Sequence, residues 1–232
     1  MITEIENLST VDEGPGEDED SMDGSLEIRN VEWPSSTIML VHDAMPQNIL
    51  NLFSKYIEKK GDQLWQPSMT TDVNNDEEDD ELGSDDEVID EVHRKCYVAK
   101  DTSTLKRLFE KLDECVEDIV EEFLKKYPHF SIITTKEDFT LLKFTKGDFH
   151  ADHIECTGLD DTSEGASRRL CVVTFLSSAP EDGGQFVFEY QGVTVPVQQG
   201  TVLVFPACPL HPNRVMQIES DDALVYTINY LL

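Results

Sequence analysis

The sequence has few basic residues and no long hydrophobic segment. Its 232 residues include 18 Lys and Arg against 48 Asp and Glu, which gives a formal net charge of −30 at pH 7. Phosphate contact needs a basic surface, so this balance excludes a general nucleic-acid-binding protein. No run of about 18 apolar residues is present, so we predict no membrane-spanning helix. The opening residues MITEIENLST have neither a basic start nor an apolar stretch, and no secretory signal is expected there.

Cysteines are also scarce. The chain has five, at Cys96, Cys115, Cys156, Cys171 and Cys208, and none belongs to a CxxC pair. An odd number of widely spaced cysteines predicts neither a disulfide framework nor a zinc site. We therefore expect reduced thiols in a cytoplasmic protein, with the nucleus as the alternative location.

The acidic residues are concentrated in two stretches. Residues 1–27 contain ten acids and residues 72–91 contain twelve, and neither stretch contains a Lys or Arg. The other 185 residues carry 26 acids and 18 bases, which is ordinary for a folded domain. We predict a disordered acidic tail over residues 1–30 and one domain over residues 31–232 with an acidic loop at 72–91. These acids either keep the chain soluble by self-repulsion or attract a basic protein partner.

Hydrophobic periodicity predicts helices first and strands afterwards. A strand at 37–42 precedes a helix that starts at Pro46 and ends at Gly61, another strand is predicted at 95–99, and a long amphipathic helix is predicted from a cap at Thr104 to Pro128. From residue 130 onward short β-branched and aromatic runs follow one another: FSIITT, FTLLKF, RLCVVTFLSS, GQFVFEY, VTVPV, GTVLVFP, RVMQI and ALVYTINYLL. This order is typical of an α+β chain in which the helices buttress a β-sandwich or jelly roll.

Histidines and carboxylates occur at spacings that suit a metal ion. The segment FTKGDFHADHIE contains His150 with Asp152 and His153 with Glu155, each pair two residues apart. Residues two apart on a strand share a face, so either pair could reach one ion. His211 follows a later predicted strand and supplies a third donor. Two imidazoles and one carboxylate leave open coordination positions, as in non-haem Fe(II) oxygenases.

Further motifs surround these residues. They are the aromatic-x-x-Gly turn Phe144–Gly147, the run from Arg169 to Gly183-Gly184, the run from Gly200 to Phe205, and His211. With these motifs the chain resembles the Fe(II)/2-oxoglutarate-dependent dioxygenase superfamily, in particular its prolyl 4-hydroxylase-like branch. The resemblance covers residues 37–232 and is densest from 139 to 211.

The resemblance implies a double-stranded β-helix, or jelly roll, with N-terminal helices. It implies Fe(II) bound by His153, Glu155 and His211, because the family's first histidine lies about six residues after the glycine of the turn. The pair His150 and Asp152 is the alternative. The implied co-substrate is 2-oxoglutarate, with ascorbate as a further candidate cofactor. The implied reaction is hydroxylation of a C–H bond, with a prolyl residue of a protein as the substrate class. The acidic stretches favour a basic protein or peptide as that substrate, and the charge balance and the lack of a long apolar run predict no nucleic-acid or membrane partner.

The sequence departs from the branch at two positions. The cation expected about ten residues after the distal histidine is replaced by Asp221, and Phe144 has no hydroxyl where the branch has tyrosine. The cation would pair with the distal carboxylate of 2-oxoglutarate. Its replacement is left open among Arg214, Arg169 and Arg168. These departures favour the alternative function, a catalytically degenerate jelly-roll binding module that retains a metal site.

Overall fold

The computed structural model describes residues 30–71, 92–132, 135–156 and 165–232. Apart from Asn30, the predicted acidic tail and the acidic loop at 72–91 lie outside the described residues. Among the described residues, no helix has the length and apolar character needed to cross a membrane.

The described part of the chain contains two α-helices, two short 3₁₀ helices at Gly61–Leu64 and Pro128–Ile132, and twelve strands. The helices are α1 (Gln47–Lys60) and α2 (Ser103–Lys126). The strands are β1 (Val31–Glu32), β2 (Met39–Val41), β3 (Trp65–Thr71), β4 (Val92–Ala99), β5 (Thr140–Phe144), β6 (Phe149–His153), β7 (Leu170–Phe175), β8 (Phe186–Phe188), β9 (Val193–Val195), β10 (Val202–Pro206), β11 (Asn213–Val215) and β12 (Leu224–Leu231). Of the segment 130–135, predicted as a strand, residues 130–132 instead belong to a 3₁₀ helix at Pro128–Ile132, and residues 133–134 lie outside the described residues.

The strands form one curled antiparallel sheet. Their order is β1-β2-β10-β7-β12-β5-β4-β6-β11-β8-β9, and β3 pairs with β4 outside this path. Strands distant in sequence are neighbours here, as in a jelly roll rather than a simple meander. The predicted fold class, α+β with a double-stranded β-helix and N-terminal helices, is confirmed.

Alternating side chains of the central strands divide the protein into two cores. Leu170 and Val172 of β7 pack with the helices, whereas Cys171 and Val173 pack inside the curled sheet. A strand that is buried on both faces has a continuous apolar sequence. This explains why apolar and polar residues do not alternate in RLCVVTFLSS. The helices therefore cover the outer face of the sheet and leave its inside as the place for a site.

The cap of α2 differs from the prediction. Thr102, not Thr104, has the extended backbone of an N-cap, and its Oγ1 accepts a hydrogen bond from the Leu105 amide at 3.1 Å. The Tyr56 hydroxyl of α1 lies 2.6 Å from the same oxygen. Two threonines near a helix start fit the capping preference equally well, and the contact with α1 decides between them.

The Gly183-Gly184 turn before β8 passes close to the end of β11. Both glycines have positive φ, +127° and +77°. A Cβ added to Gly183 would lie 1.9 Å from the carbonyl oxygen of Gln217. The turn therefore needs glycine both for its backbone conformation and for the close approach of two backbone segments.

We predict that Gly183→Ala lowers the free energy of unfolding by about 3 kcal/mol, through positive-φ strain and a backbone clash. The control is Gly192→Ala, which has φ +64° and no atom within 4 Å of the added Cβ. It should cost only about 1 kcal/mol. Urea unfolding of both variants measures the difference, and equal losses would contradict the clash.

Candidate metal centre

The candidate site is formed where β6 pairs with β4 on one side and β11 on the other. Val215 of β11 lies opposite His150, and Asn213 lies opposite His153. Two residues of β11 thus span three of β6, which is a β-bulge in β6. The extra residue changes the alternation, so His150 and His153 lie on the same face and their rings stack with centroids 3.4 Å apart.

The same bulge separates His150 from Asp152. His150 lines an internal cavity, whereas Asp152 is exposed and forms an ion pair with Arg214 at 3.4 Å. Residues 150 and 152 therefore do not share a face, contrary to the expectation for a regular strand. The alternative pair His150 and Asp152 is not brought together.

His153 and Glu155 are in direct contact. Glu155 Oε1 lies 3.0 Å from His153 Nε2, and the side chain of Glu155 is 5% exposed. The Tyr230 hydroxyl donates to Oε2 at 2.6 Å, and the Asn213 amide donates to Oε1 at 3.2 Å. Strands β6, β11 and β12 thus each contribute to the surroundings of one buried carboxylate.

The contacts of His153 and Glu155 fix their charge states. Burial opposes ionisation of Glu155, but the charge of His153 and hydrogen bonds from His153 and Tyr230 outweigh it and lower the pKa of the carboxyl to about 2. Burial also opposes protonation of His153, but Glu155 raises its pKa. Both ring nitrogens of His153 face oxygen acceptors, the other being the Ala151 carbonyl at 2.9 Å. These contacts favour the imidazolium form of His153 and the carboxylate form of Glu155.

His150 has the opposite charge preference. Burial and the neighbouring charge of His153 lower the pKa of His150 to about 3, so this ring is neutral. A neutral imidazole is the form that binds metals.

His211 does not join this pair. Its ring lies before β11, where Nε2 is 2.7 Å from Thr37 Oγ1 and Nδ1 is 3.3 Å from Cys208 Sγ. In the described part of the chain, no group of three or more His, Cys, Asp or Glu side chains is placed to hold one metal ion. The predicted set of His153, Glu155 and His211 is therefore not assembled, because the residue that β11 sets opposite His153 is Asn213.

The donors present nevertheless suit a divalent cation. Neighbouring donors about 2.1 Å from an octahedral ion lie ~3 Å apart, which matches the separation of His153 Nε2 and Glu155 Oε1. An ion there would take the place of the proton between the two groups. Asn213 Oδ1 is buried and has no hydrogen-bond partner among the described residues. This amide oxygen is therefore available beside Glu155 as a metal ligand.

The cavity around these groups has a volume of about 270 Å³. Its lining combines polar and apolar side chains: Arg94, Val98, Thr140, Leu142, His150, His153, Glu155, Arg168, Phe186, Asn213, Val215, Tyr226, Ile228 and Tyr230. A larger cavity of about 580 Å³ between α2 and β5 has no histidine or cysteine in its lining. The smaller cavity is therefore the candidate site.

The three arginines predicted as substitutes for the missing cation differ in position. Arg168 lines the cavity, but its Nε and Nη2 donate to both carboxylate oxygens of Glu137 at 2.7 and 2.8 Å. Arg214 is paired on the surface with Glu189 at 2.5 Å, and Arg169 is exposed. None of the three is an uncommitted cation inside the cavity.

The departures noted in the sequence are also visible at the site. The β12 side chains in the cavity are Tyr226, Ile228 and Tyr230, so this strand supplies phenols and no cation. Phe144 is fully buried and stacks on Tyr226 with ring centroids 5.5 Å apart.

Sequence reasoning missed Arg94, Asn213 and Tyr230. The spacing of Tyr226, Ile228 and Tyr230 is the period of two expected on a strand, and it would have placed both phenols on one face. Arg94 lies immediately before the predicted strand at 95–99, and the observed strand begins three residues earlier, at Val92, and so includes it.

We predict that Tyr230→Phe lowers the free energy of unfolding by about 2 kcal/mol, because a buried carboxylate loses a charge-assisted hydrogen bond. The matched control is Tyr190→Phe, since Tyr190 is 74% exposed. Thermal and urea unfolding compare the two variants. A Tyr230→Phe protein as stable as the control would show that the hydroxyl does not stabilise Glu155.

Comparisons with known proteins give matches among solved structures. No protein-family model matches the chain, and no curated protein does. A collagen prolyl hydroxylase of Paramecium Bursaria Chlorella virus-1, solved with 2OG, is 12% identical with a TM-score of 0.54, over 85% of this chain and 96% of that one. A Pseudomonas putida prolyl-4-hydroxylase is 13% identical with a TM-score of 0.55, over 84% of this chain and 91% of that one.

A third structure is a prolyl hydroxylase from Trichoplax adhaerens in complex with a peptide fragment of the hypoxia inducible factor oxygen degradation domain. It is 11% identical with a TM-score of 0.58, over 85% of this chain and 84% of that one. At such identities the similarity is one of fold. The chain has the jelly-roll fold of prolyl hydroxylases and 2OG-Fe(II) oxygenases, which confirms the resemblance seen in the sequence at that level.

Proposed function

We propose that this protein is an Fe(II)/2-oxoglutarate-dependent dioxygenase that hydroxylates a C–H bond of a protein, with a prolyl residue as the substrate class. One observation carries the proposal. A buried His153–Glu155 pair with the donor spacing of a divalent-metal site lies in the cavity of a prolyl-hydroxylase fold. His153 and Glu155 supply one imidazole and the carboxylate of the 2-His-1-carboxylate set that non-haem Fe(II) oxygenases use.

In this proposal His153 and Glu155 hold the metal. Fe(II), with 2-oxoglutarate and dioxygen, supplies the oxidation of an unactivated C–H bond and yields succinate and CO2. Tyr230 and Asn213 orient Glu155 through their hydrogen bonds to its two oxygens. Phe186, Val215 and Ile228 form apolar walls that limit the access of water. Ascorbate remains a candidate reductant.

The third protein donor has two candidates. His211 is the residue implied by the sequence resemblance, and its use would require release of its ring from Thr37 and Cys208. Asn213 needs only a rotation of its amide to present Oδ1 beside Glu155. A neutral amide oxygen is a weaker ligand for Fe(II) than an imidazole, so we expect modest metal affinity if Asn213 serves.

The substrate class rests on the fold and the charge. The Trichoplax relative was solved with a peptide, and we propose a peptide substrate for this chain as well. The acidic residues in 1–27 and 72–91 favour a basic polypeptide, through attraction over distance more than through tight contact. We propose that this protein acts in the cytoplasm, with the nucleus as the alternative location.

We predict that His153→Ala and Glu155→Ala each weaken Mn(II) binding at least about tenfold, because each removes a proposed ligand. His211→Ala identifies the third donor: a comparable loss of affinity makes His211 the ligand, and unchanged affinity leaves Asn213, whose substitution would also weaken binding through its hydrogen bond to Glu155. Mn(II) titration followed by electron paramagnetic resonance measures binding. Asp152→Ala is the control, as its side chain pairs with Arg214 outside the cavity. Unchanged affinity in both His153 and Glu155 variants would refute the proposed site.

The second candidate function, a binding module that lacks turnover, is favoured by the position of His211 and the absence of a cation among the β12 residues that line the cavity. The two functions are separated by 2-oxoglutarate. For a dioxygenase we expect a weak visible charge-transfer band when 2-oxoglutarate is added anaerobically to the Fe(II)-loaded protein. We also expect succinate release with prolyl-containing basic peptides. Metal binding with neither signal would favour the binding module.

A further inference from the structure

We infer that Arg94 is the residue that binds the carboxylate of a small acidic ligand in the cavity. The inference deepens the proposed function and rests on it for the identity of the ligand, the distal carboxylate of 2-oxoglutarate. It assigns the missing cation to β4, a strand on which the sequence resemblance places no site residue.

Arg94 is directed at the cavity by strand pairing. Its Cα lies opposite that of His150 in the β4–β6 ladder, and both residues line the cavity. One guanidinium nitrogen, Nη2, donates to Ser68 Oγ at 2.9 Å. Nε is buried without a hydrogen-bond partner. A buried donor left unpaired costs about 1–3 kcal/mol, and an acceptor supplied by a ligand would remove that cost.

Arg94 also carries the one positive charge of the cavity that is not balanced within the described residues. His153 is balanced by Glu155, and Arg168 by Glu137. No described carboxylate lies within ion-pairing distance of Arg94, and Lys95 rather than Arg94 faces Asp148, at 3.5 Å.

The neighbouring weak acids do not supply the missing negative charge. Burial raises the pKa of Cys96 to about 11, and burial raises the pKa of Tyr226 well above its ordinary range. These groups are neutral at pH 7. The cavity therefore has an excess positive charge on a guanidinium with a free donor, which is the arrangement that binds a carboxylate.

The position of Arg94 suits a dicarboxylate that also reaches the metal pair. In the sheet order β12-β5-β4-β6, strand β4 lies directly beside β6, which carries His150 and His153. A short ligand could therefore place one end near His153 and Glu155 and the other near Arg94. A cavity of about 270 Å³ has room for a ligand of this size, though not for a larger drug-sized molecule.

Calorimetric titration of the full chain with glutarate and with 2-oxoglutarate, each with and without Mn(II), tests the inference. We expect Arg94→Gln to weaken both ligands about tenfold or more, since a charge-assisted pair is lost. Arg94→Lys should retain part of the affinity. Arg214→Gln is the matched control, because its guanidinium is paired on the surface. Thermal unfolding checks that each variant is folded.

The outcomes separate the inference from the proposed function. Wild-type affinity in a folded Arg94→Gln variant, or no dicarboxylate binding by the wild type, overturns the inference. A third outcome is that binding depends on Arg94 but Mn(II) does not raise the affinity for 2-oxoglutarate above that for glutarate. This outcome supports the inference but contradicts the dioxygenase function. If Arg94→Gln does not fold, phenylglyoxal modification of the wild-type protein decides. Glutarate should then protect Arg94 but not Arg214, and equal modification with and without glutarate overturns the inference.

Discussion

The buried ion pair of His153 and Glu155 is the interaction that the rest of the site depends on. An isolated carboxylate in such a place would cost several kcal/mol, and this one is tolerated because three groups satisfy it. His153 comes from β6, Asn213 from β11 and Tyr230 from β12. The jelly roll brings these side chains to one point through the strand order β12-β5-β4-β6-β11 and the curling of the sheet.

A single extra residue in β6 determines which groups enter the cavity. Without the bulge, His150 and Asp152 would share one face and His153 would lie on the other. With it, His150 and His153 stack inside, and Asp152 reaches Arg214 at the surface. Bulges are common beside active sites because they redirect a side chain without breaking the sheet. Here the bulge favours His153 and Glu155 over the alternative metal pair.

Much of the fold was predictable from the sequence, and part of the site was not. The span of α1, the apolar strands and the positive-φ glycines follow from local patterns, which act within a few residues. Spacing alone offered two candidate pairs, His150 with Asp152 and His153 with Glu155, and the family resemblance favoured His153 with Glu155. The roles of His211 and Asn213 depend on the register of β11 against β6, and a one-residue shift changes every contact there. Arg94 was missed because the feature that singles it out is the lack of a carboxylate partner among the described residues. Which charged side chains form ion pairs cannot be read from the sequence.

The charge of the chain and the charge of its cavity have opposite signs. On the proposed function, this difference would act differently on the two ligands, 2-oxoglutarate and a basic polypeptide. A net charge of −30 repels a small dicarboxylate at long range, so an acidic co-substrate needs a local cation to hold it once it enters. Arg94 supplies that cation at short range, where it is shielded from solvent and its field is least screened. The acidic segments act at longer range on a basic polypeptide. On the proposed function, the guanidinium would therefore hold the small acid in the cavity, and the negative charge of the chain would favour a basic polypeptide over an acidic one.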